Sequence, residues 1–528
     1  MSEIRMGTAS GRWILLATVL GSSIAGIDAT VVNVALPTIG SDLGEDFAAL
    51  QWMVTGYTLT LASFILMGGS LGDMFGRKRV FVVGVIWFAV ASLLCGLAPD
   101  AGLLIAARAL QGVGGALLTP GSLAIIQAGF SGEDRARAIG AWSGLGGVAT
   151  AIGPFLGGWL VESVSWRWVF LINVPLAAVV VWIAVRHVPE SRDDAATGRL
   201  DIAGAVFGAL ALAGTTYAFI EAPTRGFGSP PVLASAVLGI LAAVAFLVVE
   251  WRTAHPMLPL RIFANRQFSA ANAVTFLIYA VFGSIFFLLV LHLQVVSGFS
   301  PVGAGTSMLP ITALMLVLSP RAGALGARIG PRIPMTVGPL LCAVALVLML
   351  RIGPGASYIL DVLPPVVLLG LGLSLLVAPL TSAALTAVPD HQAGLASGVN
   401  NAVARAAGLV AISVLPAAVG LTGDAYSDPP VFSAGFASAC MIGAVVLVLG
   451  GILAAATIRN PAATRDQAGP ERVHPMHCDV AGTPAAPGAL HEARSGTPRG
   501  RSDGTQASSK KPGQPTPVPV SKQKLLEH

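Results

Sequence analysis

Two ionisable side chains lie inside long apolar stretches of this chain, where charge is costly. Asp28 occurs past the middle of the first apolar stretch, and Arg108 lies about one-third of the way into the fourth. A carboxylate at such a depth in a bilayer costs roughly 2.5–3.5 kcal/mol on insertion scales, so it generally has a function and faces a cavity. Loss of hydration favours the neutral acid, which suits a group that binds and releases protons. We therefore predict that Asp28 couples proton movement to the function of the protein.

Arg108 cannot lose its charge in a protein, so inside a helix bundle it needs a counter-charge, water or carbonyl groups. We predict that it is the partner of Asp28 in a protonation cycle. Two other interpretations remain open at this point. Asp28 could be a neutral acid that is hydrogen-bonded to Asn33 and serves only helix packing, and Arg108 could extend back to a membrane face.

The composition of the whole chain indicates which elements must position these groups. The chain has 528 residues, of which 54% are hydrophobic and 11% charged, with a mean hydropathy of +0.77. Soluble domains carry about 25% charged residues. Residues 13–456 consist almost wholly of apolar runs of about 18–25 residues that are separated by short polar segments. This pattern excludes a soluble protein and predicts an all-α polytopic membrane protein, because lipid leaves no water to satisfy an open backbone.

Apolar windows predict fourteen membrane-spanning helices. The tenth contains Pro310 and Pro320, and the thirteenth contains Arg405. The spans are predicted at 13–36, 50–72, 80–98, 101–123, 137–161, 168–186, 201–221, 231–250, 268–292, 302–322, 333–352, 361–385, 393–419 and 433–457.

The distribution of basic residues predicts the orientation of these spans. Loops on the side that contains the basic loop Gly69–Arg79 carry fourteen Lys and Arg residues, whereas loops on the other side carry three. Basic loops remain in the cytoplasm, so we predict that both termini are cytoplasmic.

Two segments of the first half recur in the second half, which indicates parallel halves of six spans. The basic loop Gly69–Arg79 resembles Gly323–Arg332, and Arg135–Gly140 resembles Ala393–Gly398. Such halves are one known plan of transporters, with the binding site between them near the midplane. The predicted organisation begins with an N-terminal segment (1–12), a six-helix bundle (13–186) and a linker (187–200). Two inserted helices (201–250) and a second linker (251–267) follow. A second six-helix bundle (268–457) and a disordered tail (458–528) complete the chain. The termini and linkers are predicted to be cytoplasmic.

The basic loop itself is a candidate conformational gate. A carboxylate is favourable at the N-terminus of a helix, and the arginines could bridge to acids of the same half. The alternative is that the loop is only a topology signal, and its second copy has Ala327 in place of the aspartate. The gate candidates are Gly69, Gly72, Asp73, Gly76, Arg77 and Arg79.

The fifth span contains small residues at spacings of about four, together with a Gly-Pro pair. Small residues allow helices to approach closely, and proline permits a kink. Tight packing and a moving interface both remain open on this evidence. The residues concerned are Gly147, Gly153, Pro154, Gly157 and Gly158.

The remaining polar side chains in the spans predict a small-molecule cavity rather than an enzyme site. Lysines occur only at positions 78, 510, 511, 522 and 524, and none completes a phosphate-binding loop, so ATP is not predicted as a partner. No cluster of His and acids indicates a metal, a hydrolase site or a cofactor, and His474, His477 and Cys478 in the tail are read as incidental. The dispersed charge gives no reason to expect nucleic acid. The candidate cavity residues are Asn33, Gln111, Asn272, Asn400 and Asn401.

Taken together, these motifs resemble the major facilitator superfamily, and within it the fourteen-span multidrug proton antiporters of EmrB/QacA type. The resemblance covers about residues 13–457. It depends on the basic loop, on Asp28–Pro37 in the first span, on Arg108–Ala116 in the fourth and on Gly153-Pro154 in the fifth. Trp166–Phe170, Asn173-Val174-Pro175 and Gly298–Pro310 are also similar to this branch.

The resemblance implies alternating access and export of hydrophobic or amphiphilic compounds across a bacterial cytoplasmic membrane, driven by entering protons. It assigns proton coupling to Asp28 and Arg108, and gating to Asp73 and Arg77. A departure from the pattern is that the second half has no deep acid, which argues against efficient transport of dications. Two other functions remain open, an uptake symporter of the same fold and a membrane sensor that does not transport.

Overall fold

A computed structural model describes residues 5–192, 200–253, 256–389, 392–423 and 428–460. These residues form helices and connecting segments, with no β-strand among them. The predicted tail, including His474, His477 and Cys478, lies almost wholly outside the described residues, as do half of the first linker and part of the second.

Fourteen helical segments are long and apolar enough to cross a membrane, as the sequence predicts. Two of the predicted spans are each divided into two helices, at Ile172 and at Met308. The helices are α1 (Ala9–Leu43), α2 (Phe47–Phe75), α3 (Arg77–Gly96), α4 (Ala101–Gly129), α5 (Gly132–Ser163), α6 (Trp168–Leu171), α7 (Asn173–His187), α8 (Ile202–Arg225), α9 (Pro230–Arg252), α10 (Arg266–Val295), α11 (Pro301–Ser307), α12 (Leu309–Ile329), α13 (Arg332–Met349), α14 (Leu363–Leu385), α15 (Ala393–Ala418) and α16 (Pro429–Thr457).

Short polar residues define several helix starts. The side chains of Thr8, Asp46 and Asp100 each accept a hydrogen bond from a backbone N–H three residues later, at the starts of α1, α2 and α4. Such caps satisfy N–H groups that a helix leaves without partners. The division at Met308 follows from Pro310, which stands in the first turn of α12, where a missing N–H costs nothing. Pro320 is accommodated within α12.

The inserted helices α8 and α9 pack against each other, and α8 also contacts both α2 and α15. This pair therefore lies beside the groove where a helix of the first half meets a helix of the second. The domain boundaries given above remain a prediction, and so does the cytoplasmic placement of the termini.

The buried apolar residues show at which end the halves meet. One core joins the second half to residues of the first half between Val31 and Met53, between Cys95 and Ala107, and between Leu160 and Phe170. A separate core of the first half runs from Ile14 to Val188 and contains no residue of the second half. The first-half residues in the shared core are those that the charge distribution predicts at the external end. The halves are thus packed together at that end of the bundle.

Candidate functional site

A buried ion pair occupies the middle of the first half. Asp28 on α1 has no exposed surface and Arg108 on α4 is 1% exposed. Nη1 of Arg108 lies 2.6 Å from Oδ2 of Asp28, so the pairing that the sequence predicts is present. The alternative in which Arg108 reaches a membrane face is wrong, because its guanidinium points into the bundle.

Amide side chains complete the shell around the Asp28 carboxylate. Nε2 of Gln111 donates to Oδ1 over 2.8 Å, and Nδ2 of Asn173 donates to the same oxygen over 3.1 Å. Both amides also donate to Oγ of Ser92, at 2.7 and 3.4 Å. Asn33 makes no described hydrogen bond to Asp28, and its buried Oδ1 has no partner, so the packing role with Asn33 is not supported. Three donors therefore hold one carboxylate.

Arg108 is held by further contacts that leave it little freedom. Its Nε donates to the backbone carbonyl of Met53 over 3.1 Å, and its Nη1 donates to Oε1 of Gln111. The Tyr57 ring lies over the guanidinium, with 4.4 Å between Cζ and the ring centroid. A cation over an aromatic face is attracted by the negative charge of the ring face. Loss of the negative charge of Asp28 would weaken the ion pair, while these other contacts would retain the arginine.

Gln111 thus belongs to the Asp28 network rather than to an open cavity surface. It has no exposed surface, and both ends of its amide are hydrogen-bonded. Its place one turn after Arg108 on α4 explains this arrangement, since residues three apart share a helix face. Asn33 is partly exposed and remains a cavity candidate.

The other predicted cavity residues lie in the second half. Nδ2 of Asn400 on α15 donates to Oγ1 of Thr275 over 2.9 Å and to Oδ1 of Asn272 over 3.2 Å. Asn272 is 4% exposed, whereas Asn401 is exposed. These amides connect α15 to α10, and no described hydrogen bond joins them to the Asp28 network.

The basic loop is bound within its own half. Arg77 pairs with Asp73 at 2.8 Å, and Arg79 lies 3.6 Å from Glu190. Glu190 also accepts hydrogen bonds from the backbone N–H groups of Lys78 and Arg79, at 3.0 and 3.2 Å. Among the described residues no hydrogen bond or ion pair connects Asp73 to the second half. A latch between the halves is therefore not formed in this conformation.

The glycines of the loop allow the sharp connection between α2 and α3. Gly76 joins the two helices with φ of 109°, a conformation that favours glycine, and Gly72 is buried near Arg77. Gly69 lies one turn earlier on α2, 3.8 Å from Pro120 at the position of a missing methyl group.

The glycines of the fifth span provide two close helix contacts. A methyl group at Gly153 would meet Thr30, and one at Gly157 would lie 2.9 Å from Val31, so both positions face α1. On the neighbouring face, a methyl group at Gly158 would lie 2.7 Å from the Cα of Val302 on α11.

The same face of α5 extends to Pro154, whose carbonyl group packs against Gly305 of α11. By contrast, nothing lies within 4 Å of a methyl group at Gly147. This segment of α5 thus contacts α1 within its own half and α11 of the second half.

Polar contacts between the halves accompany this packing. Nε2 of Gln51 donates to the carbonyl of Ile412 over 2.7 Å, and Nε2 of Gln294 donates to the carbonyl of Val34 over 3.1 Å. The Phe47 ring contacts the ring of Phe287, with 5.8 Å between their centroids. All these residues lie at the predicted external end, where the shared core is found.

Several residues of the site were not assigned a role from the sequence. Asn173 stands within the Asn-Val-Pro segment, Ser92 in the third span, and Tyr57 in the second. Asn173 offered a signal, because a lone amide in an apolar span needs a partner. Ser92 offered none, because a serine can satisfy its own helix backbone. Among the described residues no group of three or more metal-ligating side chains is found.

Comparisons with known proteins agree with this architecture. The family model described as "Major Facilitator Superfamily" matches residues 18–412. The chain is 35% identical to the puromycin resistance protein pur8 of Streptomyces alboniger, over 88% of this chain and 95% of that protein. It is 36% identical to the multidrug resistance protein Stp of Mycobacterium tuberculosis, over 76% and 74% of the respective chains. It is 35% identical to the tetracenomycin C resistance and export protein of Streptomyces glaucescens, over 78% and 77%.

Solved structures show the same fold at lower sequence identity. The crystal structure of the POT family transporter PepTSo superposes with a TM-score of 0.61, at 16% identity, over 84% of this chain and 97% of that one. At this identity the likeness concerns the fold alone.

Proposed function

This chain belongs to the Major Facilitator Superfamily, and we propose that it exports lipophilic or amphiphilic compounds by exchanging them for protons. The family match and the fourteen apolar helices make it a multi-pass membrane protein. The proposed location is the bacterial cytoplasmic membrane, and the proposed partners are the bilayer, protons and a small amphiphilic substrate. Neither ATP nor a cofactor is part of the proposal.

The buried Asp28 carboxylate is the observation that carries proton coupling. It is the only carboxylate of the described first-half spans that is fully buried and paired with an equally buried arginine. Breaking a buried pair is costly, because it leaves one charge uncompensated. Protonation of Asp28 therefore changes the energy of the whole network on α1, α4 and α7. Such a change is what a transporter needs to favour one conformation over another.

The packing of the halves supports an alternating-access cycle. The halves are joined at the predicted external end by the shared core, by Gly158 against α11 and by Gln51 against Ile412. The basic loop at the opposite end has no described polar contact with the second half. Towards the opposite end the halves also meet where Gly398 packs near Leu66. With the predicted orientation, tighter packing at the external end is the arrangement expected of an exporter that loads its substrate from the cytoplasm.

The substrate class is proposed from the relatives. Their names state resistance to puromycin or to multiple drugs, and resistance and export in the case of tetracenomycin C. Exposed aromatic and aliphatic residues on the helices fit a protein embedded in lipid and do not select one compound. We therefore propose a drug or an endogenous metabolite of amphiphilic character.

Flux measurements in proteoliposomes test this proposal. The purified protein is reconstituted without ATP, and a panel of acidic, neutral and cationic amphiphilic dyes is followed while a pH gradient is imposed. Antiport predicts that substrate moves against the direction of proton flow and that collapsing the gradient stops accumulation. Movement of substrate together with protons would contradict antiport and indicate a symporter. No flux for any dye, with the protein folded, would contradict a transport function.

A further inference from the structure

Arg405 is a second deep cation, and the described residues provide no counter-charge for it. It lies on α15, is partly buried, and its Nε is buried without a hydrogen-bond partner. No hydrogen bond or ion pair among the described residues involves its side chain. A guanidinium inside a membrane bundle is costly unless it is paired or hydrated. Such a group therefore has unused capacity to bind an anion.

The contacts of α15 place Arg405 on the face that meets the first half. Gly398 and Ile412 lie seven residues before and after it, which is two helical turns in each direction, so all three share a face. A methyl group at Gly398 would lie 3.0 Å from Leu66 of α2, and the carbonyl of Ile412 accepts from Gln51 of α2. Arg405 thus faces α2 midway between two contacts that join the halves.

The residue of α2 at that level is Tyr57. The Tyr57 ring covers Arg108, which pairs with Asp28. On α10, the backbone carbonyl of Tyr279 lies 3.7 Å from the position of a methyl group at Gly408, three residues after Arg405 on α15. Tyr57 thus contacts the Asp28 network from a helix that packs against the helix of Arg405, across the interface between the halves.

The charges of this region do not balance. Asp28 and Arg108 neutralise each other, which leaves the charge of Arg405 uncompensated. Between residues 256 and 460 the only acids are at positions 361, 390, 424 and 428, and none of them lies within α10 or α15. Glu221 of the adjacent α8 is paired with Arg225. Among the described residues, the interior between α2 and α15 thus carries one net positive charge, which favours an anionic guest and disfavours a cationic one.

We propose that Arg405 binds the acidic group, a carboxylate or an ionised phenol, of an amphiphilic substrate. Tyr279 lies on α10 where that helix packs against Gly408, one turn after Arg405. Asn401, four residues before Arg405 and exposed, offers an amide on the same face. The inference rests on the proposed export function and specifies its substrate class as amphiphilic monoanions. The phosphate group of a lipid has similar chemistry, and the experiment below separates it from a free substrate.

Binding of a matched pair of probes tests the proposal. Full-length protein is placed in phosphatidylcholine nanodiscs, and the affinities for pyrenebutyrate and for its uncharged analogue pyrenebutyramide are compared. A charge-assisted hydrogen bond contributes about 1.5–3 kcal/mol, so the acid is expected to bind roughly tenfold or more tightly than the amide. Arg405→Gln is expected to abolish this preference, and Arg405→Lys to retain part of it. Arg351→Gln, at an exposed position in a predicted external loop, is the control and should retain the full preference.

Equal affinity of the native protein for the acid and the amide would overturn the proposal, and this result does not depend on whether any variant folds. Retention of the full preference in folded Arg405→Gln would also overturn it. Repeating the titration with phosphatidylglycerol in the nanodiscs distinguishes a lipid from a free substrate as the ligand of Arg405. If phosphatidylglycerol binds through Arg405 and pyrenebutyrate does not, the counter-ion is a lipid. The assignment of Arg405 to substrate binding would then fail.

The outcome is separable from that of the proposed function, because binding is measured without a proton gradient. Selective binding without gradient-driven flux would contradict export alone. Gradient-driven flux of acid and amide at equal rates would contradict the anion site alone.

Discussion

The side-chain amide of Asn173 donates a hydrogen bond of 3.1 Å to Oδ1 of Asp28, although 145 positions separate the two residues. Asn173 is the first residue of α7, directly after the break at Ile172 that separates α7 from α6. The break places this amide beside the carboxylate of α1. The Asp28 carboxylate is therefore held by contacts among α1, α4 and α7, and movement of any one of these helices alters its hydrogen bonds.

Asn173→Ala is expected to weaken proton coupling without unfolding the protein. Loss of a hydrogen bond to a charged group costs about 1.5–3 kcal/mol, so gradient-driven flux should fall roughly tenfold or more. Flux is measured in proteoliposomes under an imposed pH gradient. Ser23→Ala, which alters a buried hydroxyl of α1 that has no described partner, is the control. Gradient-driven flux in Asn173→Ala equal to that of the native protein would contradict this role.

Gly158→Ala is expected to disturb closure of the halves at the predicted external end. The added methyl group would lie 2.7 Å from the Cα of Val302, and overpacking of this kind costs about 1–3 kcal/mol. The population of the closed form should fall by roughly five-fold or more. The measurement is labelling of a cysteine introduced at Gln51, which is 4% exposed in this conformation, by a membrane-impermeant maleimide. Labelling should increase in Gly158→Ala. Gly147→Ala is the control, because a methyl group there meets nothing within 4 Å, and it should be labelled to the same extent as the parent protein. Equal labelling of the parent, Gly147→Ala and Gly158→Ala would contradict the role of the contact between Gly158 and Val302.

Glu190→Gln is expected to lower stability more than Arg79→Gln does. Glu190 accepts hydrogen bonds from two backbone N–H groups at the start of α3, and loss of such a cap costs about 0.5–2 kcal/mol. The ion pair between Arg79 and Glu190 is long, at 3.6 Å, and the arginine is 79% exposed, so its contribution is small. Thermal unfolding in detergent compares the two variants. A larger loss of thermal stability in Arg79→Gln than in Glu190→Gln would show that the ion pair, and not the capping hydrogen bonds, stabilises the basic loop.

Much of the fold was predictable because lipid imposes one requirement on every span. Each segment that crosses the bilayer must satisfy its own backbone, so apolar length alone identifies the fourteen spans. Most helix ends lie within five residues of the predicted ones, but α1, α4 and α12 extend six or seven residues further. Pro310 marked the span that is divided at Met308. The division at Ile172 was not predicted, since an apolar run does not reveal a local change of helix direction.

In the candidate site, only the charged residues were predictable from the sequence. Asp28 and Arg108 stand out because ionised groups are rare in spans, whereas Ser92 and Asn173 join them through contacts between helices that the order of residues does not encode. Gln111 was placed in the substrate cavity, although its spacing of three residues from Arg108 was compatible with the network that it joins. Arg405 lacks a partner among the described residues, and this too could be seen only from the packing of α15 against α2.

The most direct test of the account compares native protein with Asp28→Asn in proteoliposomes, with substrate flux followed under an imposed pH gradient and, separately, by exchange without a gradient. The amide keeps the size of the side chain but cannot carry the proton. We expect the native protein to accumulate substrate in response to the gradient. We expect Asp28→Asn to lose this response while it continues to exchange substrate down its concentration gradient. Gradient-driven accumulation that persists undiminished in Asp28→Asn would contradict the assignment of proton coupling to this carboxylate.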